Sequence, residues 1–118
     1  MTAPNIGNFN YMFANSNVQA VGTSASSIVT NGAGSGQVFK IYSLSVANYT
    51  TTSTGLTADF YRSSTAYRLA GNINIPANSS MVLITKDNGI YLNEGDSLRL
   101  TASAVSSLEA VCSFEVIG

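Results

Sequence analysis

Chemistry in this chain would have to start from very few charged side chains: five basic and six acidic ones among 118 residues, with no histidine. Lys86, Asp87, Glu94, Asp96 and Arg99 gather in one stretch, KDNGIYLNEGDSLRL, where Glu94 and Asp96 flank Gly95. Paired carboxylates perform acid–base work when their surroundings push their pKa values apart, and they bind hard cations. Side chains two positions apart in a tight turn need not converge, however, and Asp87 in KDNG is accounted for by turn chemistry. The run also lacks the alternating oxygen ligands and closing bidentate Glu of an EF-hand calcium loop. It reads as turns between strands, not as a catalytic pair or a metal site.

The other candidates fall more quickly. Gly32, Gly34 and Gly36 in NGAGSGQVFK lack the P-loop spacing and its lysine, and they precede a strand pattern where phosphate binding needs a helix N-terminus. Without histidine the Ser-His-Asp and Cys-His nucleophile systems are absent, and zinc and copper lose their commonest ligand. No S-x-x-K motif occurs. The single cysteine, Cys112, rules out an intrachain disulfide. In LEAVCSFEV it falls in phase with the apolar positions and reads as a small buried hydrophobe. No catalytic residue, cofactor or metal is expected, and the chain does not read as an enzyme. Tyr61, Tyr67 and Tyr91 are the side chains that could stack on sugar rings.

Hydrophobic residues make up 45% of the chain and charged ones 9%, against about 25% charged in ordinary globular domains. There is ample Val, Ile, Leu, Phe and Tyr to bury, so the chain should fold. Its surface must then be neutral, built from Ser, Thr, Asn and Gly. A net charge of −1 gives no electrostatic attraction to nucleic acid or an anionic membrane and weak protection against self-association. No apolar run is long enough for a transmembrane helix, and no signal peptide is read at the start.

The elements that would position these residues are short strands with turn punctuation. In LTADFYR, Leu56, Ala58 and Phe60 alternate with Thr57, Asp59 and Tyr61. In SLRLTAS, Leu98, Leu100 and Ala102 should face inward, against Arg99 and Thr101. In LEAVCSFEVI, Leu108, Ala110, Cys112, Phe114 and Val116 face inward, with Glu109, Ser113 and Glu115 outward. QVFKIYSLSVANY is expected to place Val38, Tyr42, Leu44 and Val46 on one face. MVLITK followed by DNG reads as a strand and a hairpin. No stretch has helical spacing. The fold class is all-β: an antiparallel β-sandwich, jelly-roll-like or immunoglobulin-like, of about eight or nine strands. Residues 16–118 form this single domain. Residues 1–15 are set apart by alternating Phe9, Tyr11 and Phe13 as an extended N-terminal arm, which is either a first strand or an interface with a neighbouring subunit.

The half of the chain from YRLAGNINIPANSS through MVLITKDNGIYLNEGDSLRLTAS to LEAVCSFEVI resembles small virion structural proteins of tailed bacteriophages, particularly those of cyanobacterial and other aquatic hosts. The likeness lies in Ile75–Ser103 and Leu108–Glu115 and supplies no catalytic residues. It implies a particle protein. The expectation is a capsid decoration (cement) protein on the capsid exterior, assembled in the host cytoplasm. It would be a homo-oligomer, a trimer by likeness to other decoration proteins, that bridges major capsid protein subunits with Phe9, Tyr11 and Phe13 as anchors. The alternatives are a tail, fibre or adaptor component, or a module that binds host glycans.

Overall fold

The computed structural model describes residues 11–118, and its strands form two stacked antiparallel sheets. In chain order the strands are β1 (Met12–Val21), β2 (Ser26–Thr30), β3 (Val38–Asn48), β4 (Thr54–Arg62), β5 (Thr65–Ile75), β6 (Ser80–Ile84), β7 (Ile90–Leu92), β8 (Ser97–Ala102) and β9 (Leu108–Ile117). One sheet runs β1-β9-β3, and β3 then pairs along its far side with both β6 and β7; the other runs β2-β8-β4-β5. With β6 and β7 counted as two halves of one strand, the chain crosses between sheets in the eight-strand order of a double Greek key. The fold is a jelly roll. The immunoglobulin-like alternative is set aside by this strand order.

The period-two patterns place the core as expected. Leu56, Ala58, Leu98, Leu100, Ala102, Leu108, Ala110 and Cys112 are all buried between the sheets, and Phe114 stacks on Phe39 with ring centroids 5.5 Å apart. Each fully buried Leu or Ile in this layer contributes about 1.5–3 kcal/mol relative to exposure. One strand departs from the expected phase. The β3–β9 register shifts between Ile41 and Ser43, so Tyr42 occupies a bulge. Ile41, with Leu44 and Val46, takes the fully buried position that Tyr42 was expected to share. A bulge inserts one residue and flips the alternation beyond it. Val38 is buried as expected, in register with Ile117 and Met12, but it lies outside the main core cluster.

The hairpins also differ from expectation. After β6, Lys86–Asn88 forms a single 3-10 turn, and β7 returns to pair with β3 instead of β6. The tight hairpin is elsewhere, between β4 and β5, where Ser63 and Ser64 take φ of 52° and 60°. A two-residue turn with both positions left-handed favours Asn-Gly; serines there gave no signal. Just past the 3-10 turn, Gly89 has ordinary backbone angles but no room: a Cβ would come within 2.9 Å of the Ile41 carbonyl oxygen. Gly89→Ala is therefore expected to destabilise the fold by about 1–3 kcal/mol through overpacking against backbone. Urea unfolding checks this, and an unchanged midpoint would refute the close approach.

Candidate functional site

The charged stretch that opens the question of chemistry proves to be a clamp. Asp96 is almost fully buried, and its carboxylate accepts hydrogen bonds from Arg62 Nε (2.8 Å), Arg62 Nη2 (2.5 Å) and the Asn93 amide (2.8 Å). Burial pushes its pKa up, but the Arg62 guanidinium and the Asn93 amide outweigh this and hold the carboxyl below its ordinary value. Glu94 points elsewhere and accepts from the Gly36 amide at 2.7 Å. That amide lies in the glycine loop, where Gly34 and Gly36 take φ of +72° and +70°. The loop read as a weak phosphate-binding candidate is thus held by the chain's own carboxylate. Lys86 and Asp87 are exposed on the 3-10 turn. The two acids do not converge, and among the described residues no cluster of three metal-ligating side chains occurs.

A residue the sequence reading passed over sits at the centre of this clamp. Asn31 is fully buried. Its side-chain amide donates to the Gln37 and Leu92 carbonyls at 2.9 and 3.0 Å and its side-chain oxygen accepts from Ser35 Oγ at 2.6 Å. Its backbone exchanges bonds with Asp96 and Gly95. Asn48 does the same at the opposite end of β3. It donates to the Thr52 and Ile75 carbonyls and accepts from the Thr50 amide and hydroxyl. Asn48 also begins a glycosylation sequon, Asn48-Tyr49-Thr50, but its amide nitrogen is committed inside the fold. Both asparagines satisfy backbone groups that strand pairing leaves over.

The remaining sequence candidates are dispersed. Asp59 and Arg99 face outward on neighbouring strands β4 and β8 and form an ion pair at 2.8 Å, with the Arg99 guanidinium 3.9 Å from the centroid of Tyr61. The hydrogen bond that Arg99 donates to Asp59 is the main cause that raises the Arg99 pKa. Tyr61 is thus occupied by Arg99. Tyr67 lies on the β5 edge in register with Phe60, and Tyr91 lies on the other sheet opposite Lys40. The three tyrosines make no common platform for a sugar. Cys112 is fully buried, opposite Leu44 and Asn17, and burial pushes its thiol up to about 12. Tyr11 and Phe13 stack on each other at 5.8 Å and belong to the sandwich's own edge, where β1 pairs with β9. Phe9, and the arm expectation for residues 1–10, lie outside the described residues.

What stands out instead is the outer face of the β1-β9-β3-β6 sheet. Its rows follow from the registers. Val18, Val111, Ser45 and Val82 form one continuous row across four strands, and Ala20, Glu109, Ala47 and Ser80 the next. Val18, Val82 and Val111 are 76%, 58% and 46% exposed. Ser16 and Ser113 bond side chain to side chain at 3.0 Å in a third row. Glu109 lies toward one end of this face. Lys40, Tyr42, Lys86 and Glu115 line a shallow depression toward the other.

No protein-family model and no curated protein matches the chain. Among solved structures it is similar to one described as "Bacillus endospore appendages form a novel family of disulfide-linked pili", with a TM-score of 0.56, 15% sequence identity, and coverage of 99% of this chain and 96% of that one. At that identity the likeness concerns the fold. It also corrects the expectation of a phage virion protein, whether capsid cement or tail part: the structure that this sandwich matches end to end is a bacterial appendage subunit. The physical reason lies in the motif that carried the resemblance. In IYLNEGDSLRLTAS, Leu92, Leu98 and Leu100 are core, Glu94 and Asp96 are the clamp, and Arg99 pairs with Asp59. These residues build a sandwich, and a fold is shared by proteins of unrelated function. What remains of the expectation is the β-sandwich.

Proposed function

We propose that this chain is a structural subunit that associates with copies of itself. The observation that carries the reading is the outer face of the β1-β9-β3-β6 sheet: uncharged through its middle rows, with charges confined to its two ends, and crossed by the exposed row Val18, Val111 and Val82. Three strands of ten or eleven residues and the five-residue β6, about 4.8 Å apart with about 3.3 Å per residue, present roughly 550 Å² per copy, near the lower bound of a specific interface. Two copies stacked with their strands antiparallel bring the end that holds Lys40, Lys86 and Glu115 of one toward Glu109 of the other, where the two lysines outweigh Glu115 and leave a net attraction. The appendage fold-neighbour, a pilus protein, is in keeping with a subunit that works in many copies. A disulfide linkage of the kind its description names is not open here, since the one cysteine is buried with its thiol protonated.

Light scattering over a concentration series, with electron microscopy of the associated fraction, tests the proposal. Association is expected, and Val111→Lys should weaken it by about tenfold or more by placing a charge in the middle of the contact. The variant should unfold at an unchanged temperature, because Val111 is already half exposed. A chain that stays monomeric at millimolar concentration would refute the proposal.

A further inference from the structure

The four sheet edges of this sandwich are not equivalent. Natural sheets blunt their edges with short strands, bulges, proline, charge or a covering group. β2 is covered: Asn17 Nδ2 donates to the Ile28 carbonyl at 2.8 Å and Gln19 Nε2 to the Ser27 carbonyl at 3.1 Å. The edge opposite β1 is broken into β6 and β7, of five and three residues, separated by the 3-10 turn. β5 is long, but its pairing with β4 shifts register twice and Asn72 takes φ of 51°. Among the described residues, β1 alone has no break, no bulge and no group from another strand over its edge. It runs ten residues in unbroken register with β9 and carries no charge and no proline.

Its free hydrogen-bonding groups can be assigned. Tyr11 and Gly118 exchange both backbone bonds, at 2.8 and 2.9 Å. In an antiparallel ladder, paired and unpaired residues then alternate. Phe13, Asn15, Asn17 and Gln19 are turned toward β9, and Met12, Ala14, Ser16, Val18 and Ala20 present their N–H and C=O groups to the outside. Of these, the Ser16 amide alone has a partner among the described residues, Asn15 Oδ1 at 2.9 Å.

We infer that the β1 edge pairs with the β1 edge of a second copy, antiparallel about a two-fold axis, so that the two outer faces join into one continuous surface. This rests on the proposal of self-association and adds a second contact to it. A two-fold sets a strand against itself, so that any charge near its middle meets a like charge, and like charges directly opposite destabilise a pair. Met12–Val21 contains none. Centred on Ser16, the register sets Met12 against Ala20 and Ala14 against Val18, and each outward-turned residue meets another.

Ala14→Pro is the test. The Ala14 amide is turned outward, and proline is tolerated in an edge strand at such a position, so the fold should survive while the edge loses a donor. The expected result is an edge pairing weakened by about tenfold or more, by analytical ultracentrifugation of Ala14→Pro in a Val111→Lys background that silences the face. Hydrogen exchange of the same background gives a second reading that does not depend on how well the proline variant folds. The Ala14, Val18 and Ala20 amides should become protected as concentration rises, while Asn15 and Asn17 stay unchanged. Association that proceeds with these amides still exchanging freely overturns the edge pairing and leaves the face intact. Association abolished completely by Val111→Lys alone does the same. A chain monomeric throughout overturns both.

Discussion

Asn48→Ala is expected to cost the fold about 3–4 kcal/mol, seen as a fall of roughly 10–15 °C in Tm by calorimetry. The amide is buried and makes four side-chain hydrogen bonds, two as donor and two as acceptor, between 2.7 and 3.0 Å. Truncation leaves the Ile75 carbonyl and the Thr50 amide without their side-chain partner, while the Thr52 carbonyl and the Thr50 hydroxyl keep only the 2.9 Å bond they make to each other, and a buried polar group left unsatisfied costs more than an average bond contributes. Asn48→Asp separates this from a loss of volume. The carboxylate still accepts from Thr50 but cannot donate to the two carbonyls, so it should fall nearly as far as alanine. A Tm within a few degrees of the parent for both variants would mean that the bonds are not formed.

Asp96→Ala at the opposite end should cost about 2–3 kcal/mol for the loss of three charge-assisted bonds. The figure is held down because Arg62, 46% exposed, regains water when its partner goes. The pair also sets a pH dependence. The Asp96 pKa is lowered in the folded state from its ordinary 3.8, so the unfolded chain binds this proton first as pH falls. The stabilisation is full above that ordinary value and is lost as pH drops through the lowered folded value. Urea midpoints measured between pH 6 and pH 2 should fall below pH 4 in the parent and fall less in Asp96→Asn. Parallel curves would remove Asp96 from the acid transition.

The inward faces of β4, β8 and β9 were legible in the sequence because a regular strand has a period of two and each of these shows apolar residues at alternate positions. Asp59 and Arg99 were correctly placed outward for the same reason, though nothing local said that they would pair. The pattern fails where geometry is set across strands. Tyr42 looked in phase, and only pairing with β9 shows the inserted residue that hands its place to Ile41. Asn31 and Asn48 are ordinary loop-edge asparagines in a chain full of Asn. What makes them central is the arrival of the Leu92 and Ile75 carbonyls, 61 and 27 residues further along. The carboxylates of NEGD drew attention as possible chemistry because acids in so uncharged a chain are conspicuous, yet Glu94 and Asp96 each serve a loop that sequence distance hides. The flat neutral face was foreshadowed by composition alone, since a surface with few charges must be uncharged somewhere. Which strands line it required the registers.

The uneven protection of the sheet edges fixes the valence of this molecule. A sandwich with two bare edges on one sheet is divalent in its hydrogen-bonding direction, and such a monomer adds copies without limit, as a growing cross-β ribbon does. Here the sheet that ends in β1 is closed on its far side by the broken β6–β7 edge, and the other sheet is closed by the amides on β2 and the bulges of β5. Along that direction the described residues, 11–118, are monofunctional: one addition consumes the one bare edge among them, and growth terminates at a pair. Any larger structure must therefore grow along a different axis, through the faces, with stoichiometry set by how many faces each pair presents. A neutral, strand-rich protein of this kind is thereby kept from runaway sheet growth by connectivity, where most proteins rely on charge.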